Sequence, residues 1–341
     1  MIRRPAMLPM TTAILLEKIK NLRFLVIGDL MLDHYIWGEV QRISPEAPVP
    51  VVFTARETET AGGAANVALN LAALGAGASL AGSIGQDVEG SRLLDLLVAA
   101  GVETGLCGRL GSRPTITKTR VIARTQQLCR IDREGPRAAY SMDSAMDSAM
   151  DSESELSERL DRAVGACDAV ILSDYAKGVI TQPLVDRVLS LARRHGKIVA
   201  VDPKPARKLA FDGVDLITPN RHEALELAGI PEPSPGEVYP LDEAARLIHE
   251  AFAPRHLIIT LGAEGMAICS GGRVQSILPT RAREVYDVSG AGDTVIAMLT
   301  AAFVAGADPV AAAEFANLAA GIVVSKITTA TPTPRELLEA R

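Results

Sequence analysis

From Ala169 to Ser325, short aliphatic runs alternate with amphipathic ones, and this restricts the fold more than any other feature of the 341-residue chain. The pattern predicts strands at Ala169–Leu172, Ile198–Val201, Leu216–Ile217 and Leu257–Leu261. It predicts helices at Gln182–Arg194, from Arg221 and from Leu241, then a hairpin through Ser270–Arg273. Two Ala-rich helices follow, Ala291–Ala305 and Val310–Ser325. Strands joined through helices take right-handed crossovers, which assemble one mostly parallel sheet with helices on both faces. Such an interior is aliphatic, and the chain is 48% hydrophobic but only 4% aromatic. The expected class is α/β, doubly wound.

The first half begins with a tail and an amphipathic leading helix over residues 1–21, and the main domain is expected over 22–341. Arg23–Gly28 is an aliphatic strand with Asp29 and Asp33 just past its end, where open α/β sheets bind ligands. Tyr35–Ala55 predicts two short strands split by prolines, and 115–131 predicts two more. Together they make a small β-sheet lid, over about 34–55 and 113–132. Side chains alternate along a strand, so Ile116, Lys118, Arg120, Ile122 and Arg124 should share one face. Gly62-Gly63 opens a helix reaching Leu74, and 79–102 predicts strand, turn and helix. Between Tyr140 and Glu155 lies MDSAMDSAMDSE, an acidic tandem repeat with no face to bury. It is expected to be a disordered or variable surface loop without chemistry.

A net charge of −6 argues against nucleic acid as a partner, since phosphate-backbone binding needs a basic face. Cys107, Cys129, Cys167 and Cys269 stand apart with no Cys-x-x-Cys, so a reducing cytoplasm is expected, with neither zinc site nor disulfide framework. No apolar run is long enough to span a membrane.

Asp287-Val288-Ser289-Gly290-Ala291-Gly292-Asp293-Thr294 precedes an apolar helix. Gly290, Ala291 and Gly292 let successive backbone N–H groups face one small space at the positive helix end, which suits a phosphate. Asp293 stands at its mouth, where helix-end N–H groups favour its ionised form. A helix cap would explain the same aspartate. No Gly-x-x-x-x-Gly-Lys-Ser/Thr, protein-kinase motif or Gly-x-Gly-x-x-Gly is present, so this nest would do the phosphate-holding work.

GGAANVALNLAALG at 62–75, TPNRHE at 218–223 and DVSGAGD at 287–293 resemble the ribokinase-like (PfkB) family of carbohydrate kinases. GDLMLDHYIWGEVQRISPEAPVPVV at 28–52, SDYAKG at 173–178 and VDPK at 201–204 are similar to one branch of it, the D-glycero-β-D-manno-heptose 7-phosphate kinases. The resemblance implies a ribokinase-like fold and ATP-dependent phosphorylation of the anomeric hydroxyl, with Asp293 as base. It implies nucleotide contacts at Asn220, Arg221, His222, Glu223, Thr260, Gly262, Gly265 and Asn317, with Glu223 reaching Mg²⁺ through water. Asn220 and Glu223 also have the spacing of a capping box, and Asn317 could cap or face solvent. For the sugar it implies Asp33, Gly62, Gly63 and Asn66, with Asp29 serving either the sugar or the backbone. A 7-phosphate needs cations, for which Arg42, Lys118, Arg120 and Lys177 are candidates, solubility of the lid being the alternative.

Relatives also imply a monovalent cation, potassium, at Asp287 and Ser289. Thr stands within Lys326–Ala330 where the branch commonly has Gly, which bears on that cation loop. No His-x-Gly-His follows, so a stand-alone kinase is expected, dimerising through its lid. Two rivals are another PfkB kinase of a sugar phosphate or nucleoside, and a sugar-phosphate-binding regulator without turnover.

Overall fold

The computed structural model describes residues 11–111, 113–142, 153–282 and 284–340. In chain order the first elements are α1 (Thr12–Ile19), β1 (Arg23–Gly28), β2 (Leu30–Ile43), β3 (Pro50–Gly63), α2 (Ala64–Ala73), β4 (Gly77–Gly85) and α3 (Val88–Ala99). Next come β5 (Glu103–Leu110), β6 (Ile116–Ala123), β7 (Gln126–Arg133), α4 (Glu153–Ala166), β8 (Ala169–Ser173), α5 (Gln182–His195), β9 (Ile198–Asp202) and β10 (Leu216–Ile217). The chain closes with α6 (Arg221–Ala228), α7 (Leu241–Phe252), β11 (His256–Thr260), β12 (Met266–Ser270), β13 (Arg273–Leu278), α8 (Ala291–Val304), α9 (Pro309–Val324) and α10 (Pro334–Glu339).

Nine strands form the main sheet in the order β13-β12-β11-β10-β9-β8-β1-β4-β5. All neighbours are parallel except β11–β12 and β12–β13, the expected hairpin. Central strands are buried on both faces: β8 buries all its residues, and β1 all but Arg23. Two apolar clusters, one on each side, fill the space beneath the helices. The alternation in the second half thus predicts the observed elements to within a residue or so at each end. No helix among the described residues is long and apolar enough to cross a membrane.

The lid is a second sheet of four strands, in the order β3-β2-β6-β7. Two expectations change here. The strands expected to be short are a hairpin of two 14-residue strands, pairing from Leu30 with Gly63 to Ile43 with Pro50. The prolines fall in and beside its turn, where a missing N–H costs no ladder bond. Arg124 does not share the β6 face either, because it sits in the β6–β7 turn at φ 56°. The tail over residues 1–10 and the core of the Met-Asp-Ser repeat, 143–152, lie outside the described residues. The flanks of that repeat are structured: Tyr140 and Met142 are buried, and α4 begins at Glu153.

Candidate active site

The register of the main sheet assembles one side of the site. Gly28 on β1 pairs with Ser173 on β8, which pairs with Asp202 on β9, so three carboxyl ends of strands stand abreast. Asp29, Asp174 and Asp202 are delivered there together. Gly28 permits the approach, since a Cβ on it would come within 2.1 Å of the Ser173 carbonyl.

Asp29 is fully buried, and its carboxylate is already engaged. Oδ2 accepts from the Tyr175 and Lys177 amides, each at 2.9 Å, and Oδ1 from the Val179 amide at 2.9 Å. Of the two roles open to it, the backbone one is therefore filled. Asp29 shapes the 175–179 loop.

Helix α8 enters the site behind Gly290, which adopts φ 79°. A Cβ there would come within 2.6 Å of Asn66 Nδ2, so glycine is required for closeness as well as conformation. The helix is apolar nearly all round and buried from Asp293 through Ala302. Thr294 fixes it to α2 by donating its hydroxyl to Asn70 Oδ1 at 3.0 Å. Asp293 itself is only 2% exposed. Asn66 Nδ2 donates to its Oδ2 at 2.8 Å, and the Tyr175 hydroxyl donates to its Oδ1 at 2.6 Å. Burial works against the helix-end stabilisation expected for its charge. Burial raises its pKa to about 6, against the opposing effect of those two hydrogen bonds.

Around Asp293 the lid supplies Asp33 from β2 and Lys118 and Arg120 from β6. Arg120 is hydrogen-bonded to Asp33 and lies over the Tyr35 ring, 5.2 Å from its centroid. Lys118 Nζ is 5.6 Å from the centroid of the Tyr175 ring, and burial lowers its pKa, with Lys177 and Arg130 adding to that effect. Lys177 is paired with Glu134 beyond the end of β7. Gly62 lies against Asp33, whose Oδ2 would be 2.3 Å from an added Cβ, and Gly63 adopts φ 61° at the start of α2. Arg42 is not brought to this cluster. It lies nine residues beyond Asp33 along β2, roughly 30 Å at the rise of a strand, with its guanidinium over Phe53.

A cavity of about 410 Å³ opens beside the N-terminus of α8. Thr260, Gly262, Gly265, Ala291, Gly292 and Asn317 line it, with Val285, Val288 and Val324 as apolar wall. Asn317 is buried, its amide donating to the Pro279 carbonyl at 2.6 Å and its oxygen accepting from the Arg281 amide at 3.3 Å. It is neither a cap nor a surface residue. It holds the 279–281 loop against α9. Asn220 and Glu223 form the capping box of α6, and Asn220 bridges to Thr260 on the cavity wall. Glu223 also accepts from Lys204 Nζ at 2.9 Å. Arg221 and His222 do not line the cavity. Arg221 pairs with Glu264 and stacks on Tyr239, and His222 pairs with Glu232 at 2.9 Å, which raises its pKa. A larger cavity, about 600 Å³, lies between α4 and the β1–β4–β5 strands and contains none of the expected site residues.

Asp287 Oδ1 accepts from the Ser289 amide at 2.8 Å, just before the nest. Within Lys326–Ala330, Thr328 adopts φ 84°, a conformation for which glycine is suited. Sequence reasoning overlooked Tyr175, Asp174, Asp202 and Lys204 as site residues. Each follows a strand end or closes one, so the rule applied to Asp29 would have found them. Asp174 is another buried carboxyl, and burial raises its pKa to about 6.

A family model described as pfkB family carbohydrate kinase matches residues 22–336. The bifunctional protein HldE of Pelobacter propionicus is 42% identical over 324 residues, covering 95% of this chain and 64% of that protein. The protein of the same name from Halorhodospira halophila is 45% identical over 318 residues, 93% of this chain and 63% of that one. The chain therefore spans under two thirds of the length of these relatives. Among solved structures, Arabidopsis thaliana ribokinase complexed with ribose and ATP superposes with a TM-score of 0.72 at 21% identity, covering 94% of this chain and 98% of that one. Escherichia coli phosphofructokinase-2 superposes with a TM-score of 0.72 at 17% identity, with the same coverage. The fold is ribokinase-like.

Proposed function

The chain belongs to the pfkB family of carbohydrate kinases, and from that premise we propose that it phosphorylates the anomeric hydroxyl of D-glycero-β-D-manno-heptose 7-phosphate with ATP. The observation that carries this choice of substrate is the convergence of Lys118 and Arg120 from the lid on the Asp33–Asp293 end of the site. A neutral sugar offers such cations only hydroxyl oxygens, whereas a second phosphate offers them a counter-charge. The sugar's own hydroxyls would meet Asp33 and Asn66, with Gly62 and Gly63 allowing the close approach.

In this reading the C1 oxygen attacks the terminal phosphorus of ATP, the bond from that phosphorus to the bridging oxygen breaks, and ADP leaves. The hydroxyl proton passes to Asp293. Its pKa near 6 leaves it ionised at neutral pH but a stronger base than an ordinary carboxylate. The amides of Gly290, Ala291 and Gly292 at the positive end of α8 hold the transferring oxygens, and positioning accounts for most of the acceleration. The products are the 1,7-bisphosphate and ADP, which fits a role in making ADP-heptose for lipopolysaccharide.

The cavity beside α8 has the volume and apolar walls suited to a nucleotide base, and its floor is the helix end. Mg²⁺ keeps much of its water and takes one or two carboxylates besides substrate phosphates, so Glu223 with Asp202 close by suits it. When bound, the ion neutralises charge on the phosphates. Asp287 and Ser289 would hold a potassium ion. The lid leaves Ile43, Phe53 and Ile131 exposed, which favours packing of two lids in a cytoplasmic homodimer.

The test is ADP release with heptose 7-phosphate, fructose 6-phosphate and ribose as acceptors. The expected result is a kcat/KM for the heptose phosphate at least about 100-fold above the others, the value of a buried charged contact. Faster turnover of fructose 6-phosphate would replace this substrate, and no turnover with any acceptor would favour a binding protein.

A further inference from the structure

One side chain links the buried carboxyl of α8 to the lid, and it has so far carried no role of its own. The Tyr175 hydroxyl donates to Asp293 Oδ1 at 2.6 Å, and the face of its ring lies against Lys118 Nζ, 5.6 Å from the centroid. Its backbone has little freedom. The Tyr175 amide is held by Asp29, and the next residue, Ala176, is locked at φ 56° with its amide on Asp174 Oδ1 at 2.8 Å. Ring and hydroxyl are therefore fixed by the same loop that the abreast strand ends create.

We propose that Tyr175 is a positioning residue for the base: its hydroxyl orients Asp293 and favours its ionised form, while its ring forms the seat on which Lys118 of the lid rests. This rests on Asp293 acting as the base. Both carboxylate oxygens of Asp293 already accept from neutral donors, Asn66 and Tyr175, so a sugar hydroxyl meets a carboxylate that cannot rotate. The charged and titratable groups facing Asp293 are Asp33 from β2, Lys118 from β6, Asp202 from β9 and Tyr175 itself.

The sign of the effect on pH dependence follows from these partners. A hydrogen bond to the carboxylate lowers its pKa, and burial raises it. Turnover requires the ionised base, so activity falls as pH drops through the Asp293 pKa. Without the tyrosine hydroxyl, that acidic limb must move to higher pH.

The experiment compares kcat, KM and the pH profile of kcat/KM for wild type, Tyr175→Phe and Asp293→Asn, after matching their thermal unfolding. Phe keeps the ring and the Lys118 seat. The expected outcome for Tyr175→Phe is about a 10-fold loss of kcat at neutral pH, the worth of one hydrogen bond to a charged group. KM for ATP should hold, and the acidic limb should rise by about one pH unit, so that alkaline pH recovers about two-fold, the part of the loss due to protonation, and leaves the part due to lost orientation. A loss equal at every pH, with an unmoved limb, would overturn the proposal in favour of a structural role. Unchanged kcat in Tyr175→Phe beside an inactive Asp293→Asn would overturn it too. Full activity in both variants would instead remove Asp293 as base. Should the Phe variant fail to fold, 3-fluorotyrosine at position 175 provides a stronger donor of the same shape. It should move the limb to lower pH, and an unmoved limb would again refute the proposal.

Discussion

The two sheets of this molecule are built on opposite terms. In the nine-stranded sheet, β8 buries every residue, while β7 of the lid buries none. The large sheet is held by apolar area removed from water, which is strong and without direction. The lid is held by ladder hydrogen bonds, by the Tyr35–Trp37 stack with Arg56 over it, and by ion pairs such as Arg120–Asp33. The Arg120–Asp33 pair is itself mostly buried, whereas pairs such as Arg130–Asp132 are open to water and contribute little. A kinase must hold one half of its site rigid and let the other answer to the substrate. Here the proposed base, Asp293, stands on the side of the main sheet, and the cations proposed to hold the 7-phosphate stand on the lid.

That division can be broken most forcefully at the rigid side of the seam. Asp293→Asn should keep the fold and lose on the order of 10²–10⁴ in kcat, measured as ADP release by the purified variant. Near-wild-type turnover would mean that the lid, not the sheet, supplies the base. Next comes the stability contrast. Ile171→Ala in β8 should cost about 2–5 kcal/mol in chemical denaturation, from lost burial and the cavity left behind. Ile131→Ala on β7, 57% exposed, should cost under about 0.5 kcal/mol, and comparable losses would erase the distinction. The finest test is kinetic: Lys118→Ala together with Arg120→Ala should raise KM for the phosphorylated sugar several-fold more than KM for ATP. Equal rises would show that the lid cations serve both substrates, or neither specifically.

The same contrast explains what could be read from the residues. The main sheet was legible because strands buried on both faces are continuous aliphatic runs, and helices over them carry a 3.6-residue period. The far half of the β2–β3 hairpin was not. Arg56 to Thr60 is a polar stretch whose strand conformation comes from cross-strand pairing, with no apolar periodicity to announce it. α4 was hidden behind the acidic repeat. In the site, Gly290 and Asp293 stood out because a glycine nest before an apolar helix has few other uses. Tyr175 did not, because a tyrosine after a strand looks like any interior aromatic until its hydroxyl is found on Asp293. The burial of Asp293, which raises its pKa to about 6, was not foreseen. Helix ends are visible in a sequence, while the depth at which a residue is buried is decided by everything packed around it.

Asp29 carries a warning for anyone who maps this enzyme by alanine scanning. Its carboxylate is mortar for three amides of one loop, and that loop supports the tyrosine on Asp293. Replacing it should lower turnover by loosening that loop, so a scan scored on activity alone gives no ground to enter it on the map as a ligand contact.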